Sequence, residues 1–254
     1  MRKIFFAAVL LSAISTVSFA QEAKKGDFNF GVSAGGGIST YRFDPDELEK
    51  GEKISSIANI QAGLVFDYSF ADNFFLEWCV SYQRKGFKDK LTDEEDTEET
   101  KCNVHYIQVP LTLNYKIKAG NVGIVPEVGP FIAVGVSGKL KFKGTIDLGV
   151  DYDDTYYYDE PMPDYYEGVI YEDENQYEYE VDIFNDNEEM EQLANRIDFG
   201  LRFALGLTPC DKIKIKAGYD MSMNNLFDVE KHGSSDYIKN KFGVFFGNLT
   251  FYFK

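Results

Sequence analysis

Ile197-Asp198-Phe199-Gly200-Leu201-Arg202-Phe203-Ala204-Leu205-Gly206-Leu207-Thr208 alternates without a slip. Ile197, Phe199, Leu201, Phe203, Leu205 and Leu207 fall on one side; Asp198, Gly200, Arg202, Ala204 and Gly206 fall on the other. A period of two is the spacing of a β-strand, whose successive side chains point to opposite faces. One face is wholly apolar and the other carries charge, so the strand separates two unlike surroundings.

Seven further segments repeat the scheme: Phe28 to Ser39, Ala58 to Phe70, Phe74 to Lys85, Val104 to Lys116, Val122 to Ser137, Ile213 to Asn224 and Phe242 to Phe253. In the last of these, Val244 and Phe246 blur the alternation. The richness in Phe (22), Tyr (17) and Gly (22) suits pleated strands with Gly at crowded positions. Each segment reaches the roughly 9–11 residues that a tilted strand needs to cross hydrocarbon. Short polar turns join every second pair: Ala71-Asp72-Asn73, Ile117 to Asn121, and Pro209 to Lys212. The intervening connections are long and hydrophilic: Thr40 to Ser56, Gly86 to Asn103, Gly138 to Arg196, and Asn225 to Lys241.

Short turns at one end and long loops at the other predict an eight-stranded antiparallel up-and-down transmembrane β-barrel, with periplasmic turns and extracellular loops. The opposite assignment, a soluble periplasmic barrel with the apolar faces inside and an apolar ligand within, is the competing expectation. Two features favour the membrane. The turn-side ends carry Phe28, Phe70, Phe74, Tyr115, Phe251 and Phe253, as an interfacial aromatic belt would. The first twenty residues read as a secretory signal: Arg2 and Lys3, an apolar run from Ile4 to Val17, then Ser18-Phe19-Ala20. The mature barrel domain is therefore expected to span residues 21–254, in the cell outer membrane.

Charge is distributed unevenly. The chain has a net charge of −16, yet residues 144–194 alone hold 18 Asp or Glu and no Lys or Arg. Acidity belongs to one loop, and it excludes nucleic acid as a partner, since phosphate needs cations. Cys79, Cys102 and Cys210 are too few and scattered for a disulfide framework and are expected as free thiols.

On the polar faces, Glu77, Glu127, Asp198, Arg202, Lys214, Lys216 and Asp220 would point into a lumen just wide enough for side chains to fill. Buried charges must be paired, so an internal network is expected, with Glu77 and Glu127 set against Arg202 and Lys216, and Asp220 among them. The structural reading is a plugged lumen; the functional one is proton or ion conduction. The third long loop offers Tyr156, Tyr157, Tyr158, Tyr165, Tyr166, Tyr177 and Tyr179 as contact residues for an extracellular partner, because Tyr serves interfaces well. From Gln176 to Asp182, alternating Tyr and Glu could extend a hairpin above the membrane. Asp151-Tyr152-Asp153-Asp154 lacks the glycine and spaced Glu of a calcium loop, so no metal is expected. His105 with Ser234 or Ser235 could be arranged as an esterase-like rim, but no nucleophile motif supports it. No cofactor is expected.

Several local sequences resemble the PorT-like outer-membrane β-barrel family. Tyr106-Ile107-Gln108-Val109-Pro110-Leu111, Glu127-Val128-Gly129-Pro130-Phe131-Ile132, Asp198-Phe199-Gly200-Leu201, and Gly218-Tyr219 with Asn224-Asn225-Leu226 follow its strand motifs in order. Leu76-Glu77-Trp78 and Tyr82 to Gly86 fit its third strand. The resemblance implies fold and outer-membrane location. It also permits, among partners, outer-membrane lipid, lipopolysaccharide and components of a protein secretion system. Lys254 after Phe253 departs from the usual terminal aromatic. The expected role is a non-enzymatic surface-interaction or structural barrel, with a secretion accessory as the alternative.

Overall fold

Ten strands follow one another in the computed structural model: β1 (Phe28–Phe43), β2 (Lys53–Ala71), β3 (Phe74–Thr92), β4 (Thr97–Tyr115), β5 (Ile117–Ala119), β6 (Val122–Thr145), β7 (Gln176–Asp182), β8 (Ile197–Cys210), β9 (Ile213–Ser222) and β10 (Asn240–Phe253). The structure describes residues 24–43, 51–92, 97–145, 176–184, 194–227 and 239–253. The signal segment, the calcium-like run Asp151–Asp154, His232, Ser234 and Ser235 lie outside the described residues. So do Tyr156, Tyr157, Tyr158, Tyr165 and Tyr166.

The strands pair antiparallel in the order β4-β3-β2-β1-β10-β9-β8-β6, and β4 pairs back onto β6, closing an eight-strand ring. Closure removes the open edges on which a sheet would aggregate or leave backbone groups unpaired in lipid. The small strand β5 continues β4 against β6, and β7 pairs with the far end of β6. Tight turns close one end of the barrel. Asn73 and Gly120 adopt left-handed φ values of 65° and 63° in two of them, which Asn and Gly tolerate best.

The apolar face points outward. Phe199, Phe203, Leu205 and Leu207 on β8 are 44–54% exposed, while Asp198, Arg202 and Thr208 on the other face are buried. The same division holds on every ring strand: Ile60 and Leu64, Val80 and Tyr82, Ile107 and Leu111, Val128 and Ile132 all project outward. The soluble alternative, with this face inside, is therefore overturned. A ring of exposed Phe, Leu, Ile and Val of this extent needs hydrocarbon around it.

Four strands run further than hydropathy suggests. β2 begins at Lys53, β3 reaches Thr92, β4 starts at Thr97, and β6 continues to Thr145. Beyond the apolar belt the pattern inverts: the outward face turns polar, with Lys88, Lys101 and Lys141, while the inner face carries Phe87, Cys102 and Leu140, so the signal that marks the lipid-facing strands stops although the ladder does not. With β7 they make a wall standing above one side of the barrel. The Gln176–Asp182 stretch is indeed the second arm of a hairpin on β6.

Candidate functional site in the lumen and at its mouth

Strand alternation sends charges from opposite walls toward one axis. Glu77, Glu127, Asp198, Arg202, Lys214, Lys216 and Asp220 are each at most 4% exposed. Lys214 Nζ donates to Glu77 Oε2 at 2.6 Å and also pairs with Glu127. Lys216 pairs with Glu77 and lies 3.3 Å from Glu127 Oε2. Two lysines and two glutamates from β3, β6 and β9 thus form a closed quartet.

Arg202 is not part of that quartet, contrary to the expected pairing with Glu77 and Glu127. Its guanidinium takes Asp220 in a fork, with Nε–Oδ1 and NH2–Oδ2 both at 2.6 Å. The register explains the difference. Arg202 and Asp220 are direct cross-strand partners on β8 and β9, whereas Lys214 and Lys216 lie lower on β9. Gln108 and Gln83 also donate to Asp220, at 2.9 and 3.4 Å. Nearer the mouth, Lys85 Nζ bonds Asp198 Oδ2 at 2.7 Å, and Ser222 donates to the same oxygen at 2.8 Å. Lys85 and the buried Asp67 belong to the lumen although the pattern did not single them out for it.

Aromatic side chains break the polar inner face where a cation needs a neighbour. Arg202 lies 4.5 Å from the centroid of Phe246, Lys85 4.7 Å from Phe131, and Lys214 5.3 Å from Phe75. This is why Phe246 disturbs the alternation of β10: it lines the lumen and packs on a guanidinium, a favourable cation–π geometry. The cavity bounded by Ser33, Gln61, Cys79, Arg202, Lys216 and Asn248 measures about 10 Å³, room for a single water.

The mouth is closed by apolar packing that hydropathy did not reveal. Phe87, Cys102, Val104, Tyr106 and Phe242 from the walls meet Ile183, Phe184, Ala194 and Leu226 from the loops. Gly135 and Gly138 make the space: a Cβ on either would come within 2.4–2.6 Å of Phe184 or Ile183. Backbone bonds hold the insert, from Ile183 N to Gly138 O at 3.0 Å and from Asn195 N to Leu226 O at 2.7 Å. Asn240 brackets Phe227 on both its N–H and its carbonyl at 2.7 Å. Burial pushes the Cys102 thiol well above its ordinary range. The three cysteines are free thiols.

Tyr177 and Tyr179 lie on β7, on the inner side of the wall. Tyr179 stacks on Phe142, and Tyr177 donates to Glu98 Oε1 at 3.0 Å. His105 sits on the outer face of β4 with its Nδ1 2.5 Å from the Tyr82 hydroxyl. Among the described residues no three His, Cys, Asp or Glu converge as a metal site.

A family model described as "Outer membrane protein beta-barrel domain" matches residues 19–228. No curated protein matches the sequence. Several solved structures align to the chain at low identity. The attachment invasion locus protein Ail of Yersinia pestis is 14% identical over 90% of this chain and 99% of its own, with a TM-score of 0.35. OprG of Pseudomonas aeruginosa is 13% identical over 92% and 99%, with a TM-score of 0.42. Neisserial surface protein A is 12% identical over 88% and 97%, also at 0.42.

Proposed function

Because this chain belongs to the outer membrane protein β-barrel domain family, we propose that it is a closed, non-enzymatic outer-membrane barrel that acts through the surface it presents outside the cell. The observation that carries the reading is the filled bore. Glu77, Glu127, Lys214 and Lys216 neutralise one another across it, and Phe184 and Leu226 pack into its mouth. A solute would have to break buried ion pairs, which are costly to open once desolvated. Conduction therefore has no path, and what remains available to a partner is the projecting wall and the acidic Tyr-rich loop.

Single-channel recording from the purified chain in planar bilayers tests the closed bore: no steady conductance is expected, and a stable open channel would refute it. Cross-linking on intact cells with and without residues 144–194 tests the surface role. A partner captured only when the loop is present is the expected result; capture indifferent to the loop would contradict it.

The finer likeness to PorT-like barrels, carried by Tyr106–Leu111 and Asp198–Leu201, supports a second reading, an accessory role in protein secretion. The two readings separate in a deletion strain, where normal secretion counts against the second and leaves the first.

A further inference from the structure

Alternation in the projecting wall sorts its charges by face. Lys88 on β3 has the parity of Val80 and Tyr82, and Lys101 on β4 that of Ile107 and Leu111, so both lie on the outward side, above the apolar belt. Lys88 is directly opposite Lys101, and one row higher Lys53 on β2 opposes Lys90 on β3. Like charges facing one another across a ladder are destabilising. Part of this charge is answered within the chain. Glu99 bonds Lys88 at 2.6 Å, Glu178 on β7 takes Lys141 and Lys143, and Glu180 takes Lys139. Lys53, Lys90 and Lys101 have no ion pair among the described residues, and all three are exposed.

The matching anion is in the same sequence. Residues 146–175, between β6 and β7, hold eleven Asp or Glu and no Lys or Arg. The wall's outer face looks sideways, away from its own bore and over the membrane beside the barrel. At that level it meets lipid headgroups or the loops of an adjacent barrel. Copies inserted in one membrane share one orientation and differ only by rotation about its normal. A twofold contact through this face would set lysine against lysine. Only a heterologous contact, face to acidic loop, joins opposite charges, and such a contact repeats in a row instead of closing as a dimer. Out and back, the loop reaches up to about 50 Å at ~3.3 Å per residue, enough to bridge neighbouring barrels.

We infer that the Lys53–Lys90–Lys101 face docks the acidic segment 146–175 of a second copy, so that the protein assembles in rows in the plane of the outer membrane. The inference rests on the surface role proposed above and gives it a partner, the chain itself.

The test uses the full mature chain folded into vesicles of zwitterionic phosphatidylcholine. A donor or acceptor dye is placed on Cys210 at the turn end, and association is read as energy transfer between copies. Wild type is expected to associate at low salt and to separate in about 1 M NaCl, where charges are screened beyond about 3 Å. An exposed ion pair contributes about fivefold at most, so K101Q is expected to weaken association a few-fold and K53Q/K90Q/K101Q more than about tenfold. These changes leave the ion pairs of Lys88, Lys139, Lys141 and Lys143 in place. Converting the acids of residues 146–175 to their amides has the same effect as the triple variant, whereas K24Q/K25Q, at the turn end, has none. Carbodiimide joins amines to carboxylates; in a mixture of isotope-labelled and unlabelled copies, peptides linking Lys90 or Lys101 to residues 146–175 are expected to carry both isotopes. Links confined to one copy overturn the inference, since the loop then covers its own wall. So do association equal in wild type and the triple variant, and association that appears only when an anionic lipid is added. Loop-dependent capture of a different protein on intact cells, with no transfer between copies, overturns the self-assembly and leaves the surface role standing. A compact band that shifts on heating in gels accompanies each protein; its absence from wild type overturns the barrel reading itself.

Discussion

Lys214 and Glu77 are 137 residues apart in sequence and bond across the lumen at 2.6 Å. β9 and β3, which carry them, are four places apart in the eight-strand ring and so face each other across its diameter. The pair is a strut holding opposite walls at a fixed distance, braced by Lys216 from the same strand as Lys214 and by Glu127 from a third strand, β6. Removing Glu77 leaves two buried ammonium groups with one carboxylate. E77Q is expected to destabilise the folded barrel by about 3–5 kcal/mol, read as the urea midpoint of refolding into lipid vesicles. The double change E77Q/K214M should recover a substantial part of the loss. A midpoint for E77Q equal to wild type would show that the quartet braces nothing.

Asp67 makes the opposite prediction. The buried lumen carboxylates are Asp67, Glu77, Glu127, Asp198 and Asp220, against the cations Lys85, Arg202, Lys214 and Lys216. Asp67 is the acid in excess: it has no ion pair among the described residues, and its Oδ1 is buried without a hydrogen-bond partner. Replacing it by Asn removes a charge that burial penalises and keeps the shape. D67N is expected to be neutral or stabilising in the same vesicle assay. Destabilisation on the scale of E77Q would mean that Asp67 is a working member of the network.

Thiol labelling reports topology and burial together. Cys210 is partly exposed at the turn end, Cys79 faces the lumen, and Cys102 is fully buried on the loop side. A membrane-impermeant maleimide should label none of them on intact cells and Cys210 alone once the outer membrane is opened. Labelling of Cys210 on intact cells would invert the barrel. Rapid labelling of Cys102 would contradict the apolar mouth, since burial raises the pKa of its thiol and keeps it protonated.

The hairpin of β6 and β7 should respond to acid. Hydrogen bonds from Lys141 and Lys143 hold the Glu178 carboxyl below its usual 4.5. A lowered folded value means that its contribution is complete above the unfolded pKa and is lost as pH falls through the lower folded one. Cross-strand NMR contacts between Phe142 and Tyr179, whose rings stack at 4.8 Å, should therefore persist at pH 6 and weaken below 4.5. E178Q should weaken them at pH 6 and remove the acid response. Contacts unchanged between pH 6 and 3 would show that the salt bridges are idle.

The ring strands were legible because lipid and lumen impose opposite demands on neighbouring residues, as in Ile197 to Thr208. The identity of inward charges such as Glu77 and Asp220 followed from parity alone. Their partners did not, because pairing depends on the shear of the barrel: Glu127 is opposite Ala204 while Arg202 is opposite Asp220, which leaves Glu127 to Lys214 and Lys216. Lys85 escaped notice at a strand end, and the mouth packing of Phe184 and Leu226 escaped because it joins loop residues with no periodic signature.

The central claim, that the apolar face of every ring strand meets lipid, can be read from one residue. Trp78 is the sole tryptophan; it lies midway between Phe74 and Tyr82 on the outer face of β3, stacked on Phe66 with ring centroids 5.7 Å apart. In vesicles of lipids brominated at different depths, its emission should be blue-shifted and quenched most strongly by bromine near the middle of the acyl chain. Indifference to bromine at every depth, with ready quenching by aqueous acrylamide, would place that face in water and contradict the assignment.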